Sequence, residues 1–147
     1  MAEVTRVVDV PAQSLWAVIA DGWTYAGWVV GASHIRRVDQ TWPTVGSHIH
    51  HSVGSWPLTI DDTTEVLRME PQRLIELNAR AWPTGEARVR IELDPVTADS
   101  TRVRIVEQAS SGPGALLPKP LQDAMLVPRN RETLSRLTDL ALRRSGG

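Results

Sequence analysis

The chain of 147 residues has no cysteine, no phenylalanine, one tyrosine and a single lysine, Lys119. Without cysteine there is no disulfide, no thiolate metal site and no cysteine nucleophile. With six tryptophans and no phenylalanine, large apolar rings must come almost wholly from tryptophan, which is rarely fully buried and often lines cavities or interfaces. The near-absence of lysine leaves positive charge to arginine, a bias expected of a GC-rich bacterial genome that carries no mechanism. No apolar run approaches the length of a membrane span, and the N-terminus lacks a signal-peptide pattern. Stable membrane insertion is therefore not expected, and a cytoplasmic location is the default. The formal net charge is -1 and no basic run exceeds two residues, as at Arg143-Arg144, so nucleic acid is not expected as a partner. There is no Gly-rich phosphate loop, no nucleophile elbow and no zincin motif.

What is present is a single-domain length, 1–147, with an ordinary hydrophobic fraction of 41% and a charged fraction of 22%. Val4 to Val10 alternates as a strand, with Val4, Arg6, Val8 and Val10 on one face. Pro11 suits the first turn of a helix in which Leu15, Trp16, Val18 and Ile19 form an apolar stripe. Asp21-Gly22 ends that helix, and residues 23–28 can form a second short one. From Ser33 the period changes to two. Strands are expected over 33–40, 45–53, 56–69, 74–81, 86–93 and 101–109, with Gly54-Ser55 as a hairpin signal. The cleanest alternation is Ala87, Val89, Ile91 and Leu93 inward against Glu86, Arg88, Arg90 and Glu92 outward. This predicts an antiparallel meander with one wet face. Gln108 to Pro120 reads as a loop. Leu121 to Arg144 reads as a long helix with Met125, Leu126, Asn130, Leu134, Leu137, Leu140 and Ala141 on one face and a kink at Pro128.

The opening pattern Val8-Asp9-Val10-Pro11-Ala12, then Leu15-Trp16 and Trp28, resembles the START-like, or SRPBCC, superfamily. Thr44-Val45-Gly46-Ser47 and Thr64-Glu65-Val66-Leu67, followed by Glu70-Pro71-Gln72-Arg73, are similar to it as well. Within that superfamily the closest likeness is to the polyketide cyclase/dehydrase and lipid-transport group. The resemblance implies an α+β helix-grip fold, with a seven-stranded curved antiparallel sheet around the C-terminal helix. It also implies an apolar cavity between them, of drug-sized volume, about 300–1,000 Å³.

If so, phase selects the lining. On the sheet it picks Ile49, Thr64, Leu77, Ala79, Val89, Ile91, Val103 and Ile105. From the helices it picks Trp28, Met125, Leu126 and Asn130. Four ionisable residues fall on the apolar face: Arg6, His51, Asp62 and Glu107. A buried charge must be paired or neutralised. The first and last strands are neighbours in this fold, so Arg6 and Glu107 are expected to pair, for structure or for a ligand. His51 is the candidate donor or general base. His48 and His50 share the other, wet face, with no third ligand at motif spacing, so no metal is expected. Trp42-Pro43, Trp56-Pro57 and Trp82-Pro83 sit at strand ends and could form a collar at the mouth. Leu116 and Leu117, in the loop of Ser110 to Leu117, could serve as a lid or an anchor. Three functions fit: binding of a lipid, polyketide or aromatic metabolite; a cyclase/dehydratase moving protons with His51, Asp62, Glu107 or Arg6; or a protein-interaction module. No cofactor is expected, and the chain would be a monomer or homodimer.

Overall fold

The computed structural model describes residues 2–30, 32–53, 60–81 and 85–146. Seven strands form one antiparallel sheet: β1 (Ala2–Val8), β2 (Ala32–Val38), β3 (His48–Val53), β4 (Ile60–Glu70), β5 (Leu74–Ala81), β6 (Gly85–Thr97) and β7 (Ser100–Ser111). Their order is β1-β7-β6-β5-β4-β3-β2, so the meander closes by laying the first strand beside the last. Helix α1 (Ala12–Ala20), a 3₁₀ turn (Gly22–Thr24) and the short α2 (Tyr25–Trp28) follow β1. The long α3 (Lys119–Gly146) ends the chain and continues through Pro128. This is the helix-grip α+β arrangement expected from the sequence.

Side-chain alternation and strand register together sort the inner face into rows. One row runs Met69, Ile75, Ile91, Ile105, Val4 across β4, β5, β6, β7 and β1. Ile75, Ile91 and Ile105 are each at most 1% exposed, and this row is the floor of the core. The stripe of α1 (Leu15, Val18, Ile19) and the C-terminal half of α3 (Leu134, Leu137, Ala141) cover it. Packing alone does not hold α1. Its last carbonyls, which have no partner inside the helix, are met from elsewhere. Trp42 Nε1 donates to Ile19 O at 3.1 Å, Thr24 Oγ1 to Val18 O at 2.9 Å, and Arg144 Nη1 to Ala17 O at 3.2 Å. Arg144 also pairs with Asp21 at 2.7 Å, which fastens the ends of α1 and α3 together.

Several boundaries differ from expectation. Residues 44–47 form a turn in place of the start of β3: Thr44 N donates to Thr41 O and Ser47 N to Thr44 O. The expected loop from Gln108 begins only after Ser111, because β7 stays paired with β6 to that point, and residues 113–116 are a 3₁₀ turn. Gly54-Ser55, the first residues of the expected 56–69 strand, Trp56-Pro57 and Trp82-Pro83 lie outside the described residues. Trp42 is no collar residue, for its ring is 8% exposed and belongs to the core.

The two faces of α3 should separate in a stability measurement. Leu137 is fully buried and Leu142 is 46% exposed. In urea unfolding, Leu137→Ala is expected to cost about 2–5 kcal/mol, and Leu142→Ala no more than about 0.5 kcal/mol.

Candidate functional site

Above the isoleucine row the inner face changes character. The next row is Val66, Leu77, Val89, Glu107, Ala2. The one after it is Val38, Ile49, Thr64, Ala79, Ala87, Ala109. Three consecutive strands, β5, β6 and β7, thus present only methyl groups two rows above the isoleucines. The N-terminal half of α3 does not fill the difference: Leu126 is half-buried and Met125 is 58% exposed. The result is a cavity of about 250 Å³ between sheet and helix, a little below the expected range of about 300–1,000 Å³. Exposed Arg80 and Met125 and the half-buried Glu86, Leu117 and Gln122 mark its mouth.

The polar groups gather in two sets. In the first, Tyr25 Oη lies 3.0 Å from Thr64 Oγ1, which lies 2.9 Å from His51 Nε2. The Tyr25 ring stacks on His51 with centroids 5.6 Å apart and meets Trp28 edge-on at 5.5 Å. Burial pushes the Tyr25 hydroxyl up to about 12, partly offset by its bond to Thr64; the Glu107 charge raises it further and Arg129 lowers it. Burial holds His51 below the usual histidine range, although Asp62 opposes this. Both are therefore neutral at pH 7. In the second set, Arg129 Nη2 donates to the buried Glu107 carboxylate and bridges α3 to β7. Two further groups lining the cavity are buried without a partner among the described residues: His51 Nδ1 and Asn130 Nδ2.

Of the residues expected at the site, Trp28, His51, Leu77, Ala79, Val89, Ile91, Ile105, Glu107, Met125, Leu126 and Asn130 line this cavity. Ile49, Asp62, Thr64, Val103 and Arg6 do not. Ile49 and Val103 are fully buried in the core, and Thr64 stands behind His51 as its partner. Asp62 faces Arg80, with Arg80 Nε 3.7 Å from its Oδ1. Arg6 is exposed and sits opposite Val103, whereas Ala2 is the residue opposite Glu107. The expected Arg6–Glu107 pair is thus four residues out of register, roughly 13 Å along the strand. β1 is an edge strand, so a long side chain on its inner face can reach water past the unpaired side.

Glu107 takes its cation from α3 instead. The sequence pattern does not single out Arg129 or Tyr25; the signals available are that Arg129 is four residues after Met125 on the same helical flank and that Tyr25, the one tyrosine, is three residues before Trp28. Leu117 lines the mouth while Leu116 is 86% exposed. On the outer face, His48 and His50 share Asp39, at 3.5 Å and 3.3 Å. No group of three or more potential metal ligands occurs among the described residues.

The neutral His51 has a thermodynamic consequence. Its folded-state pKa lies below the unfolded value, so the unfolded chain takes up the proton first as pH falls. Stability present above about pH 6.5 is lost progressively as pH falls from that value through the lower folded-state pKa. In chemical denaturation at about pH 7.5 and about pH 5.5, His51→Phe is expected to lose less stability between the two than the wild type. An unchanged difference would show that His51 titrates as an exposed histidine does.

No curated protein matches. Among solved structures, a protein from Nitrosomonas europaea superposes with a TM-score of 0.73 at 17% identity, over 99% of this chain and 96% of that one. The aromatase/cyclase Zhui from Streptomyces sp. R1128 superposes with a TM-score of 0.66 at 20% identity, over 98% and 94% of the two chains. The di-domain ARO/CYC StfQ from the steffimycin biosynthetic pathway gives 0.72 at 17% identity, with 99% of this chain covering 46% of that one. These likenesses show the fold. The family model for polyketide cyclase / dehydrase and lipid transport matches residues 1–141, and the chain belongs to that family.

Proposed function

We propose that the protein binds a hydrophobic small molecule, such as a lipid, polyketide or other aromatic metabolite, in the cavity between its sheet and α3. The observation that carries this reading is the alanine row. Ala79, Ala87 and Ala109 leave about 250 Å³ empty at a position where a folding domain gains stability by filling space. The walls beside that volume are Trp28, Leu77, Val89 and Leu126, which suit an apolar ligand. A ligand longer than the cavity would extend through the mouth at Met125 and Arg80. An open cavity of this kind also speaks against a protein-interaction module, which would need a groove and no interior volume.

A second reading, an enzyme of the cyclase/dehydratase type, is favoured by one specific feature. A neutral histidine and a buried carboxylate border the same apolar volume, which is the arrangement proton transfer needs near neutral pH. Two structural neighbours, Zhui and StfQ, are described as aromatase/cyclases, which points the same way. Under this reading His51→Ala would abolish turnover of a poly-β-ketone thioester while sparing its affinity.

Native mass spectrometry of freshly purified protein should show a bound apolar molecule. Ala79→Phe, which puts a ring into the empty row, should weaken binding of an apolar probe such as fluorene by tenfold or more, on the order expected for overpacking. Undiminished binding in a folded Ala79→Phe variant would place the ligand elsewhere.

A further inference from the structure

His51 and Asn130 are 4% and 3% exposed, and both border the cavity. Each keeps a buried nitrogen, Nδ1 and Nδ2 respectively, without a partner among the described residues. Such groups are costly to leave unmade. The hydrogen-bonded chain behind His51 determines what its free nitrogen offers. Thr64 Oγ1 is within bonding distance of both Tyr25 Oη, at 3.0 Å, and His51 Nε2, at 2.9 Å. Tyr25 and Thr64 each carry one hydroxyl proton. If His51 Nε2 held the ring proton, it would donate to Thr64, and one of the two hydroxyl protons would then be buried without an acceptor. One arrangement pairs both: Tyr25 donates to Thr64, and Thr64 donates to His51 Nε2. The single proton of the neutral ring is then on Nδ1, on the flank of the ring away from Thr64.

We propose that His51 Nδ1–H and the Asn130 amide form a donor pair that selects ligands bearing a neutral oxygen acceptor, with Tyr25 and Thr64 as positioning residues that hold the His51 proton on Nδ1. This rests on the cavity-binding reading above and adds the ligand chemistry. His51 stands on the sheet wall and Asn130 on the helix wall, so a bound acceptor would bridge the two. A hydrocarbon of the same shape would leave both donors unpaired, the situation in which polar sites discriminate most strongly. A ligand carboxylate is disfavoured, because Glu107 borders the same volume and the Arg129 guanidinium is already bound to it.

The test uses the whole protein and three probes of one shape: fluorene, fluorenone and fluorene carboxylate. In the ligand-free protein labelled with ¹⁵N-histidine, long-range ¹⁵N–¹H correlation should show His51 protonated at Nδ1, and Thr64→Val should abolish that preference. By calorimetric titration fluorenone should bind about tenfold more tightly than fluorene, the worth of one to two net hydrogen bonds, and more tightly than fluorene carboxylate. Asn130→Leu should narrow the gap between ketone and hydrocarbon. A wild-type ring protonated at Nε2 overturns the proposal without any variant or ligand. Equal affinity for fluorene and fluorenone also overturns it, leaving the cavity reading intact and the two nitrogens to water. If none of the three probes binds, both readings fail together.

Discussion

The structure depends on the register of one cross-strand row. Because β5, β6 and β7 pair without slippage between them over their central residues, Ala79, Ala87 and Ala109 fall side by side. A shift of one residue in any of these strands would replace a methyl by a polar side chain, since the flanking residues are Asn78 and Arg80, Glu86 and Arg88, and Gln108 and Ser110. The isoleucine row, two rows below, packs against α1 and the end of α3. Core and cavity are therefore nearby stretches of the same three strands, with the row of Leu77, Val89 and Glu107 between them.

The helix answers to the same division. In α3 the buried positions Leu134, Leu137 and Ala141 pack on the isoleucine end, and the buried polar positions Asn130, Thr133 and Thr138 lie along or beside that line. Towards its N-terminus the helix meets the alanine end, and its apolar side chains become half-buried or exposed. Anchoring is correspondingly uneven. The C-terminal end is fastened to α1 through Arg144 and Asp21, while the N-terminal half is tied to the sheet through Arg129 and Glu107. An opening of the cavity would therefore act first on the N-terminal half, where few apolar contacts oppose it.

How much of this was readable beforehand follows from which physical signal each feature carries. Alternation in β6 and β7 gave the strands and the inward residues, because a half-wet antiparallel sheet imposes a period of two on its side chains. The same alternation named Ala79, Val89, Ile105 and Glu107 as lining. It could not tell lining from solid core, so Ile49 and Val103 were included although their places are filled. That distinction depends on which residues stand opposite across three strands, and register is not a property of any one segment. Arg6 failed for a related reason. Phase placed it on the inner face, but only its position on an edge strand determines that the guanidinium reaches water. Tyr25 and Arg129 escaped notice because their signals are weak: a four-residue helix has too little periodicity to show a face, and an arginine beside an asparagine on a long helix reads as solvated.

The buried Glu107 is the clearest case of a residue serving two ends. A carboxylate 3% exposed is costly to bury alone, and Glu107 is met by the Arg129 guanidinium from α3. The pair therefore fixes where the helix stands over the sheet. It also occupies the one helix cation that lines the cavity among the described residues, so the charge presented to a ligand is close to balanced. What is left to discriminate among ligands is then neutral: the stacked Tyr25 and His51 rings, the Asn130 amide and the shape of the alanine row. A cavity with its charges already neutralised by one another selects by hydrogen-bond polarity and fit, and that selection is set by the same cross-strand register that leaves the space open.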